Sequence, residues 1–298
     1  MTTPSVPDRA ERLTTALLRQ WPLPMPDSDG DKEARGRVLI IGGSVEIPGS
    51  VLLAANAAFR AGAGKVTIAT GRSIALTVAM AVPETRVIGL PETATGGLDP
   101  DSADTIRSAA ARADAILIGP GMQDSQDTSD FARILLQRLE PAKVILDALA
   151  MDAIGDGALQ ERGMDLLLTP HAGEMARLTG LTRERIAGQR PAVALEFARK
   201  WGAAGAVKGA TTCIATSAGR LLIHEGGNPG LAVSGSGDCL AGIVVALAAR
   251  GASVEQACAW SVVLHALAGQ RLRERCGALG FLARELPAEV PGLLQSLT

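Results

Sequence analysis

The sequence predicts an α/β fold in which helices cover both faces of a mostly parallel sheet. From residue 37 onward, short apolar segments of strand length alternate with longer helical segments. Several of the strands are continuous apolar runs, such as Ala115–Ile118, which is typical of strands buried on both faces. Together these patterns predict a three-layer α/β/α sandwich with a mostly parallel central sheet and right-handed crossovers.

The predicted elements follow from the apolar runs and from the glycines and prolines between them. Strands are predicted at residues 37–41, 66–70, 87–90, 115–118, 144–146, 166–168, 205–207, 212–216 and 221–223. Helices are predicted at residues 49–62, 73–82, 101–112, 128–139, 172–179, 191–202, 239–250 and 254–274. The last two strands are joined by a three-residue turn, so we expect them to pair antiparallel.

The first 36 residues differ from the rest of the chain. Five prolines interrupt them, and a short helix is predicted at residues 8–20. We interpret residues 1–36 as an arm lying over the main domain and residues 37–298 as a single catalytic domain. A chain of 298 residues with 47% hydrophobic composition is long enough to bury a large core.

The composition argues against two classes of partner. The net charge is −2, aromatic residues make up 2% and tyrosine is absent, whereas nucleic-acid grooves need basic stripes and stacking rings. The longest apolar runs fall far short of the ~20 residues that span a bilayer, and the N-terminal segment does not resemble a signal peptide. We therefore expect a cytoplasmic protein with neither nucleic-acid nor membrane partners.

The cysteines and histidines predict no metal site. The four cysteines lack CxxC spacing and lie in apolar surroundings, as expected of reduced core thiols. Cys239 opens a helix, where its pKa would be lowered, but burial is the alternative. The three histidines are scattered along the sequence.

The most informative motif is Gly235-Ser236-Gly237-Asp238, directly before an apolar helix. Backbone amides at such a helix start can bind an anion, and the helix dipole should keep the Asp238 carboxylate ionised. An anion site beside a base is what phosphoryl transfer to a hydroxyl requires. A tight glycine turn with an aspartate cap is the alternative interpretation.

Small or polar residues follow several other predicted strands. Gly42-Gly43-Ser44 follows the first strand, Gly119-Pro120-Gly121 the fourth and Asp147 the fifth. In this fold class, ligands bind at the carboxyl ends of the strands. Each glycine segment can equally be an ordinary turn, and Asp147 can either cap the next helix or face a ligand.

Two further strand ends carry chemically active side chains. His171 follows Thr169-Pro170 and precedes Glu174 by three residues, so it can contact a substrate or form a helix capping box. Lys208 comes just after an apolar strand and precedes a glycine and two threonines, which suits a nucleotide phosphate or ribose. A solvated strand-end lysine is the alternative there. The later loop around Asn228 contains three glycines and is predicted to be a flexible cover.

In family order and spacing, these motifs resemble those of the ADP-dependent NAD(P)H-hydrate dehydratases of the ribokinase-like superfamily, over about residues 34–290. The motifs that carry the resemblance are Gly42-Gly43-Ser44, Pro48-Gly49-Ser50, Ala61-Gly62-Ala63-Gly64, Gly119-Pro120-Gly121, Thr169-Pro170-His171-Ala172-Gly173-Glu174, Lys208-Gly209, Asn228-Pro229-Gly230 and Gly235-Ser236-Gly237-Asp238. Jointly they are specific, whereas each alone is common.

The resemblance implies a repair reaction, in which the S epimer of hydrated NADH or NADPH (S-NADHX or S-NADPHX) is returned to NADH or NADPH. ADP, or ATP, would phosphorylate the ring hydroxyl, phosphate would then be eliminated, and Mg²⁺ would bridge the nucleotide. Asp238 would be the catalytic base. The implied hydrate-binding residues are Ser50, Gly121, His171 and Asp238. The implied nucleotide-binding residues are Lys208, Gly209, Ala210, Thr211, Thr212, Asn228, Gly235, Ser236 and Gly237. No protein metal ligand is implied, and a homotetramer is expected.

The sequence departs from the family pattern at a few positions. Ser50 stands where the family usually has alanine, and Leu149 and Gln270 stand where it has acidic residues. Two alternatives remain open. One is a kinase of the same superfamily that acts on a vitamin alcohol, although such kinases usually have asparagine at the His171 position. The other is a nucleotide-binding regulator without activity.

Overall fold

One sheet organises the parts of the chain that the computed structural model describes, residues 10–26, 31–140, 142–155 and 163–298. Its strands are β1 (Ala10–Arg12), β2 (Arg37–Ile41), β3 (Lys65–Gly71), β4 (Arg86–Leu90), β5 (Ala115–Ile118), β6 (Lys143–Leu146), β7 (Asp165–Leu168), β8 (Ala204–Val207), β9 (Thr212–Ala215) and β10 (Leu221–His224). The helices are α1 (Thr15–Gln20), α2 (Gly49–Arg60), α3 (Arg72–Ala81), α4 (Ala103–Ala110), α5 (Gln126–Arg138), α6 (Ala172–Thr179), α7 (Arg183–Gly188), α8 (Arg190–Trp201), α9 (Ser236–Ala249), α10 (Val254–Cys276) and α11 (Leu286–Leu297).

The strands lie in the order β1-β10-β9-β8-β7-β6-β5-β2-β3-β4. All pairs from β4 across to β8 are parallel, and β9 pairs antiparallel with both β8 and β10. The predicted mostly parallel sheet and the predicted antiparallel hairpin are both confirmed. Because the strands from β2 to β8 run parallel, their carboxyl ends meet at one edge of the sheet.

Two apolar clusters pack against the two faces of the sheet. One contains buried side chains of α2, α9, α10 and α11, and the other contains those of α4, α5 and α8. The strands between them, such as β5, are fully buried, which explains their unbroken apolar sequences. The predicted α/β/α layering is therefore confirmed. Among the described helices, none is both long and apolar enough to cross a bilayer.

The main differences from the predicted elements lie near the chain ends. Ala10–Arg12 forms a strand parallel to β10 within a segment predicted as helix, although residues 1–9 and 27–30 of the predicted arm lie outside the described residues. All three residues of β1 are exposed, so only their pairing with β10 makes them a strand. Helices α7 and α11 were not predicted. Helix α11 contains Pro291 in its interior, where a proline normally argues against a helix.

The arm packs on the core through apolar side chains and backbone carbonyls. Leu13, Leu18 and Leu23 are buried in the same cluster as α9 and α10. The carbonyl of Trp21 accepts hydrogen bonds from the side chains of Gln256 and Trp260, at 3.2 and 2.8 Å. These described N-terminal residues are thus held against the core and α10.

Three cysteines are buried, as expected of core thiols, but the expectation for Cys276 is wrong. It lies exposed in the last turn of α10, where the helix leaves the core. Burial raises the pKa of Cys239 to about 12 and its thiol lies 3.2 Å from the carbonyl oxygen of Ala283, so the structure supports the buried interpretation of that residue.

Helices α2 and α9 approach each other closely at Gly242. A Cβ added there would lie 2.2 Å from the backbone oxygen of Ala54. The alanine-rich faces of these two helices are therefore used for contact within the subunit.

This close approach predicts the effect of adding one methyl group. Gly242→Ala forces the two helices apart and should lower the free energy of unfolding by about 1–3 kcal/mol. Gly188→Ala is the matched control, because a Cβ there meets no atom within 4 Å. It should leave stability unchanged or raise it by up to about 1 kcal/mol. Urea unfolding followed by circular dichroism makes the comparison, and equal midpoints for the two variants would contradict it.

Candidate active site

A cavity of about 620 Å³ opens at the carboxyl edge of the sheet, between the β7 and β8 ends and the helices α9 and α10. Its walls combine apolar side chains, including Leu231, Leu240 and Val262, with a few polar groups. This size and lining are typical of small-molecule sites. The cavity lies where the fold class predicts a ligand.

The start of α9 presents its backbone amides at this cavity. Gly235 adopts the left-handed conformation with φ of 87°, and no side chain caps the helix. The first-turn amides have no partner within the helix. The Ser236 amide donates to the carbonyl of Val233 at 3.2 Å, which leaves the amides of Gly237 and Asp238 to bind an anion. Asp238 lies at the third helical position instead of the cap, and the interpretation of this motif as a glycine turn with an aspartate cap is wrong.

His265 of α10 fixes the position of this loop. Its Nε2 lies 3.0 Å from both the carbonyl oxygen and the hydroxyl of Ser236. Because a carbonyl oxygen can only accept, Nε2 carries the hydrogen and donates it. Burial lowers the pKa of His265 to about 4, so the ring is neutral at physiological pH. Sequence reasoning missed this anchor, because nothing local to His265 indicates its contact with a residue 29 positions away.

Asp238 is a partly buried carboxylate with an elevated pKa. Burial and the nearby charge of Asp147 raise the pKa of Asp238 to about 6, against a hydrogen bond from Ser50 and the charge of Lys208. The sequence predicted an ionised carboxylate because of the helix dipole. The group is still mostly ionised at neutral pH, but it is far closer to titration than that argument implies, because burial is the largest effect.

Lys208 pairs with Asp147 beneath the cavity. Its Nζ lies 3.4 Å from Oδ1 of Asp147, which also accepts a 2.6 Å hydrogen bond from the hydroxyl of Thr169. Burial alone would lower the pKa of Lys208, but the carboxylates of Asp147, Glu174 and Asp238 outweigh it and leave the pKa raised. Lys208 is therefore a buried cation, and the interpretation of it as a solvated strand-end lysine is wrong.

The sequence did not decide whether Asp147 caps the next helix or contacts a ligand, and Asp147 was not among the predicted site residues. The structure shows no capping bond from its side chain to the 3₁₀ turn that follows. It is 3% exposed and lies among the charged groups of the site. No sequence pattern links it to Lys208, which lies 61 residues away.

His171 forms the capping box that was one of its two predicted roles. Its Nδ1 accepts hydrogen bonds from the amides of Gly173 and Glu174, at 2.9 and 3.2 Å, and Glu174 accepts from the His171 amide at 2.8 Å. The ring also lines the cavity, and its side chain is 59% exposed. With Nδ1 occupied as an acceptor, Nε2 is the ring atom left to contact a ligand, and it lies 3.6 Å from Oε1 of Glu174.

The structure distributes the remaining predicted residues between the cavity wall and its base. Five predicted nucleotide-binding residues line the wall beside Lys208: Gly209, Ala210, Thr212, Asn228 and Gly237. Ser236 also lines it and is held by His265, whereas Thr211 lies outside the wall. Gly121 lies against Ser50, since a Cβ added to the glycine would fall 2.9 Å from that of the serine. Ser50 is hydrogen-bonded to Asp238, so Gly121 and Ser50 both lie next to the Asp238 side chain.

Comparison with known proteins identifies the family. A family model described as NAD(P)H-hydrate dehydratase matches residues 38–291. The chain is 45% identical to an ADP-dependent (S)-NAD(P)H-hydrate dehydratase of Xanthomonas campestris, over 97% of this chain and 98% of that protein.

Solved structures agree with this match. The ADP/ATP-dependent NAD(P)H-hydrate dehydratase of Bacillus subtilis, co-crystallised with ATP and Mg²⁺, superposes with a TM-score of 0.83 at 27% identity, covering 98% of this chain and all of that one. A ribokinase-like superfamily protein of Enterococcus faecalis superposes with a TM-score of 0.82 at 26% identity, covering 97% and 96%. The fold is thus ribokinase-like. The chain belongs to the NAD(P)H-hydrate dehydratase family.

The His265 anchor predicts a pH-dependent loss of stability. The folded-state pKa of about 4 lies below the ordinary 6.5, so the unfolded chain binds more protons between these values. This contribution is fully present above pH 6.5 and is lost as the pH falls toward 4, by up to about 1.4 kcal/mol per pH unit. The raised pKa of Asp238 changes the unfolding free energy with pH in the opposite direction. The test therefore compares two proteins that both contain Asp238, so that its contribution cancels.

The comparison is between the wild-type protein and His265→Gln, whose amide can still donate to Ser236 but does not titrate. Across this pH range, the wild type should lose about 2–3 kcal/mol more of its unfolding free energy than the variant does. Urea unfolding at half-unit pH steps measures this difference. Parallel stability curves for the two proteins would show that His265 does not titrate as inferred.

Proposed function

We propose that the protein is an ADP-dependent dehydratase that returns the S epimer of NADHX or NADPHX to NADH or NADPH, a hydro-lyase reaction of nicotinamide nucleotide repair. The observation that carries the proposal is the position of Asp238, a partly buried carboxylate in the first turn of α9, directly after Gly237 on the wall of a nucleotide-sized cavity. The relative of Xanthomonas campestris, which matches along nearly its whole length, carries this activity in its name.

The residues of this chain divide the work of such a reaction. ADP supplies the phosphoryl group that makes the ring hydroxyl of the hydrate a good leaving group. Asp238 accepts the proton of that hydroxyl as the phosphoryl group arrives. The first-turn amides of α9 hold the phosphoryl oxygens, and the positive charge of Lys208 offsets their negative charge. The ring nitrogen then expels phosphate, and loss of a proton from the neighbouring ring carbon completes the elimination and forms the double bond of NADH or NADPH. The apolar wall of the cavity limits competing hydrolysis.

We assign the cavity wall to the nucleotide and the region around Asp238 to the hydrate. Lys208, Gly209, Ala210, Thr211, Thr212, Asn228, Gly235, Ser236 and Gly237 are the proposed nucleotide-binding residues. Ser50, Gly121, His171 and Asp238 are the proposed hydrate-binding residues. A Cβ added to Gly237 would lie 3.4 Å from Lys208 Nζ, so the Lys208 ammonium is close to the start of α9. This proximity supports a meeting point of both ligands at Gly237.

Mg²⁺ accompanies ATP in the Bacillus subtilis crystal. Within the described ranges, no group of three or more His, Cys, Asp or Glu residues is arranged to hold a metal ion. We therefore propose that Mg²⁺ is bound mainly by the phosphates of the nucleotide, as is common for this ion.

A kinase acting on a vitamin alcohol is the second candidate, because it would use the same base and the same anion site. The half-exposed His171 ring on the cavity wall favours the dehydratase, because such kinases usually have asparagine there. A regulator without activity is a weaker candidate, since the Gly-Ser-Gly-Asp motif and its His265 anchor are intact.

One assay separates these candidates. S-NADHX, ADP and Mg²⁺ are incubated with the protein, and the absorbance of NADH is followed. Recovery of NADH supports the dehydratase. Phosphorylation of a hydroxymethylpyrimidine or thiazole alcohol without NADH recovery supports the kinase, and neither reaction supports the regulator.

Asp238→Asn tests the role of the base. The amide keeps the shape of the side chain but cannot accept the proton, so kcat should fall by about two to four orders of magnitude. Removing a buried charge next to Asp147 should leave thermal stability unchanged or higher, and ADP should still bind by calorimetry. Full turnover by this variant would place the base elsewhere, and unfolding would make Asp238 chiefly structural.

We also propose that the protein works in the cytoplasm as a homotetramer, with residues 1–36 as an arm on a single catalytic domain. Leu76 and Met80 support self-association, because these two apolar side chains lie one turn apart on α3 and are each 76% exposed.

Light scattering at micromolar concentration tests the assembly. The wild type should have the mass of four chains, and the double variant Leu76→Glu/Met80→Glu should give smaller species. Leu279→Glu is the matched control, since Leu279 is also an exposed apolar residue, at 69%, and should leave the mass unchanged. A wild-type monomer would contradict the tetramer, and an unaffected double variant would exclude this face of α3 from the interface.

A further inference from the structure

Asp147 is a buried carboxylate, and an apolar residue in its place would avoid the free-energy cost of burying a charge. It accepts one hydrogen bond from Thr169 and lies 3.4 Å from Lys208 Nζ, at 3% exposure. Removing a buried ion pair from water costs several kcal/mol per ion, and apolar residues in such positions are often as stabilising. The stability of the fold therefore does not explain why a carboxylate stands at the end of β6.

The backbone around Asp147 is strained. Ala148 has a φ of 50°, and it is the one residue other than glycine with positive φ in the described parts of the chain. On the other side, Gly119 lacks a Cβ that would lie 1.9 Å from the carbonyl oxygen of Asp147. Such strain persists where the surrounding structure fixes a particular geometry, and it is concentrated at functional sites. The neighbours of Asp147 thus hold this carboxylate in a defined place.

Lys208 connects that place to the start of α9. Its ammonium lies 3.4 Å from the Asp147 carboxylate, and a Cβ added to Gly237, the residue that precedes Asp238, would also lie 3.4 Å from it. A cation in this position is shared electrostatically between Asp147 and Asp238, since both act on the same buried ammonium. A change in the charge of either Asp147 or Lys208 must therefore change the field at Asp238.

Only a few charged groups face Asp238 among the residues that the structure describes. Burial is the largest effect and raises the pKa of Asp238. The charges of Asp147 and Glu174 raise it further, and the Ser50 hydrogen bond and the charge of Lys208 lower it. Cys239 and His265 are neutral at physiological pH, since burial raises the pKa of Cys239 to about 12 and lowers that of His265 to about 4. His171 also lies on the cavity wall, where its ring is next to Glu174.

We propose that Asp147 is a positioning residue for the reaction, which acts through Lys208 to set the basicity of Asp238. The effect on catalysis rests on the proposed function, whereas the electrostatic coupling between Asp147, Lys208 and Asp238 does not. A general base works best when its pKa is near the working pH, and an aspartate with an ordinary pKa near 4 is a weaker base. Asp147 strengthens the base, and Lys208 prevents the base from becoming protonated at neutral pH.

The experiment titrates Asp238 directly, without relying on activity. The protein is labelled with ¹³C-aspartate, and the carboxyl signal of Asp238 is assigned by its absence in Asp238→Asn. Its titration is then compared in the wild type, Asp147→Asn, Lys208→Met and the double variant. Asp152→Asn is the matched control, because it removes a carboxylate five residues further along that pairs with Arg177 instead.

The two single variants should shift the pKa of Asp238 in opposite directions. Asp147→Asn should lower it by about one unit, and Lys208→Met should raise it by about one unit. The double variant should return close to the wild-type value, and Asp152→Asn should leave it unchanged. Lys208→Met leaves the buried Asp147 carboxylate unpaired, so this variant can unfold. In that case, comparing Asp147→Asn with the double variant also tests the inference, and the pKa of Asp238 should be higher in the double variant.

An unchanged titration in Asp147→Asn, or shifts of the same sign in both single variants, would overturn the inference, because either outcome indicates general repacking. In the active enzyme, the acidic limb of kcat/KM should move with the measured pKa of Asp238. If the wild type proves inactive on S-NADHX, the titration still decides the coupling, so failure of the inference and failure of the proposed function are distinguishable.

Discussion

A single buried cation, Lys208, holds the charges of the ligand-binding edge in balance. Three carboxylates act on it, those of Asp147, Glu174 and Asp238, and without it they would repel one another in a region with little water. Because Lys208 extends from the end of β8 to the start of α9, it joins the sheet to the helix that carries Asp238. The rigid core beneath, with Gly242 packed against α2, keeps this arrangement in place.

Much of the fold could be predicted from the sequence, because strands buried on both faces have unbroken apolar sequences and the helices between them are long. The elements that could not be predicted depend on distant contacts. Strand β1 has no apolar pattern and exists because it pairs with β10. Helix α11 contains Pro291 yet is held by the buried side chains of Leu286, Val290 and Leu293.

The candidate site was predicted in part. Strand-end motifs indicated the edge of the sheet at which the cavity opens and several residues of the cavity wall, because that edge is fixed by the fold class. The charge state of Asp238, the role of Asp147 and the anchor at His265 could not be predicted. Each depends on burial or on partners 29 to 61 residues away, and no local pattern reports such distances. His171 fulfilled its structural role as a cap while still facing the cavity.

The central claim is that Asp238 is the base at the point where both ligands meet. A crystal structure with S-NADHX and a non-transferable ADP analogue tests it most directly. The account predicts an Asp238 carboxylate oxygen within about 3.2 Å of the ring hydroxyl, with the terminal phosphate on the first-turn amides of α9. A carboxylate turned toward Lys208, with another group beside the hydroxyl, would contradict it.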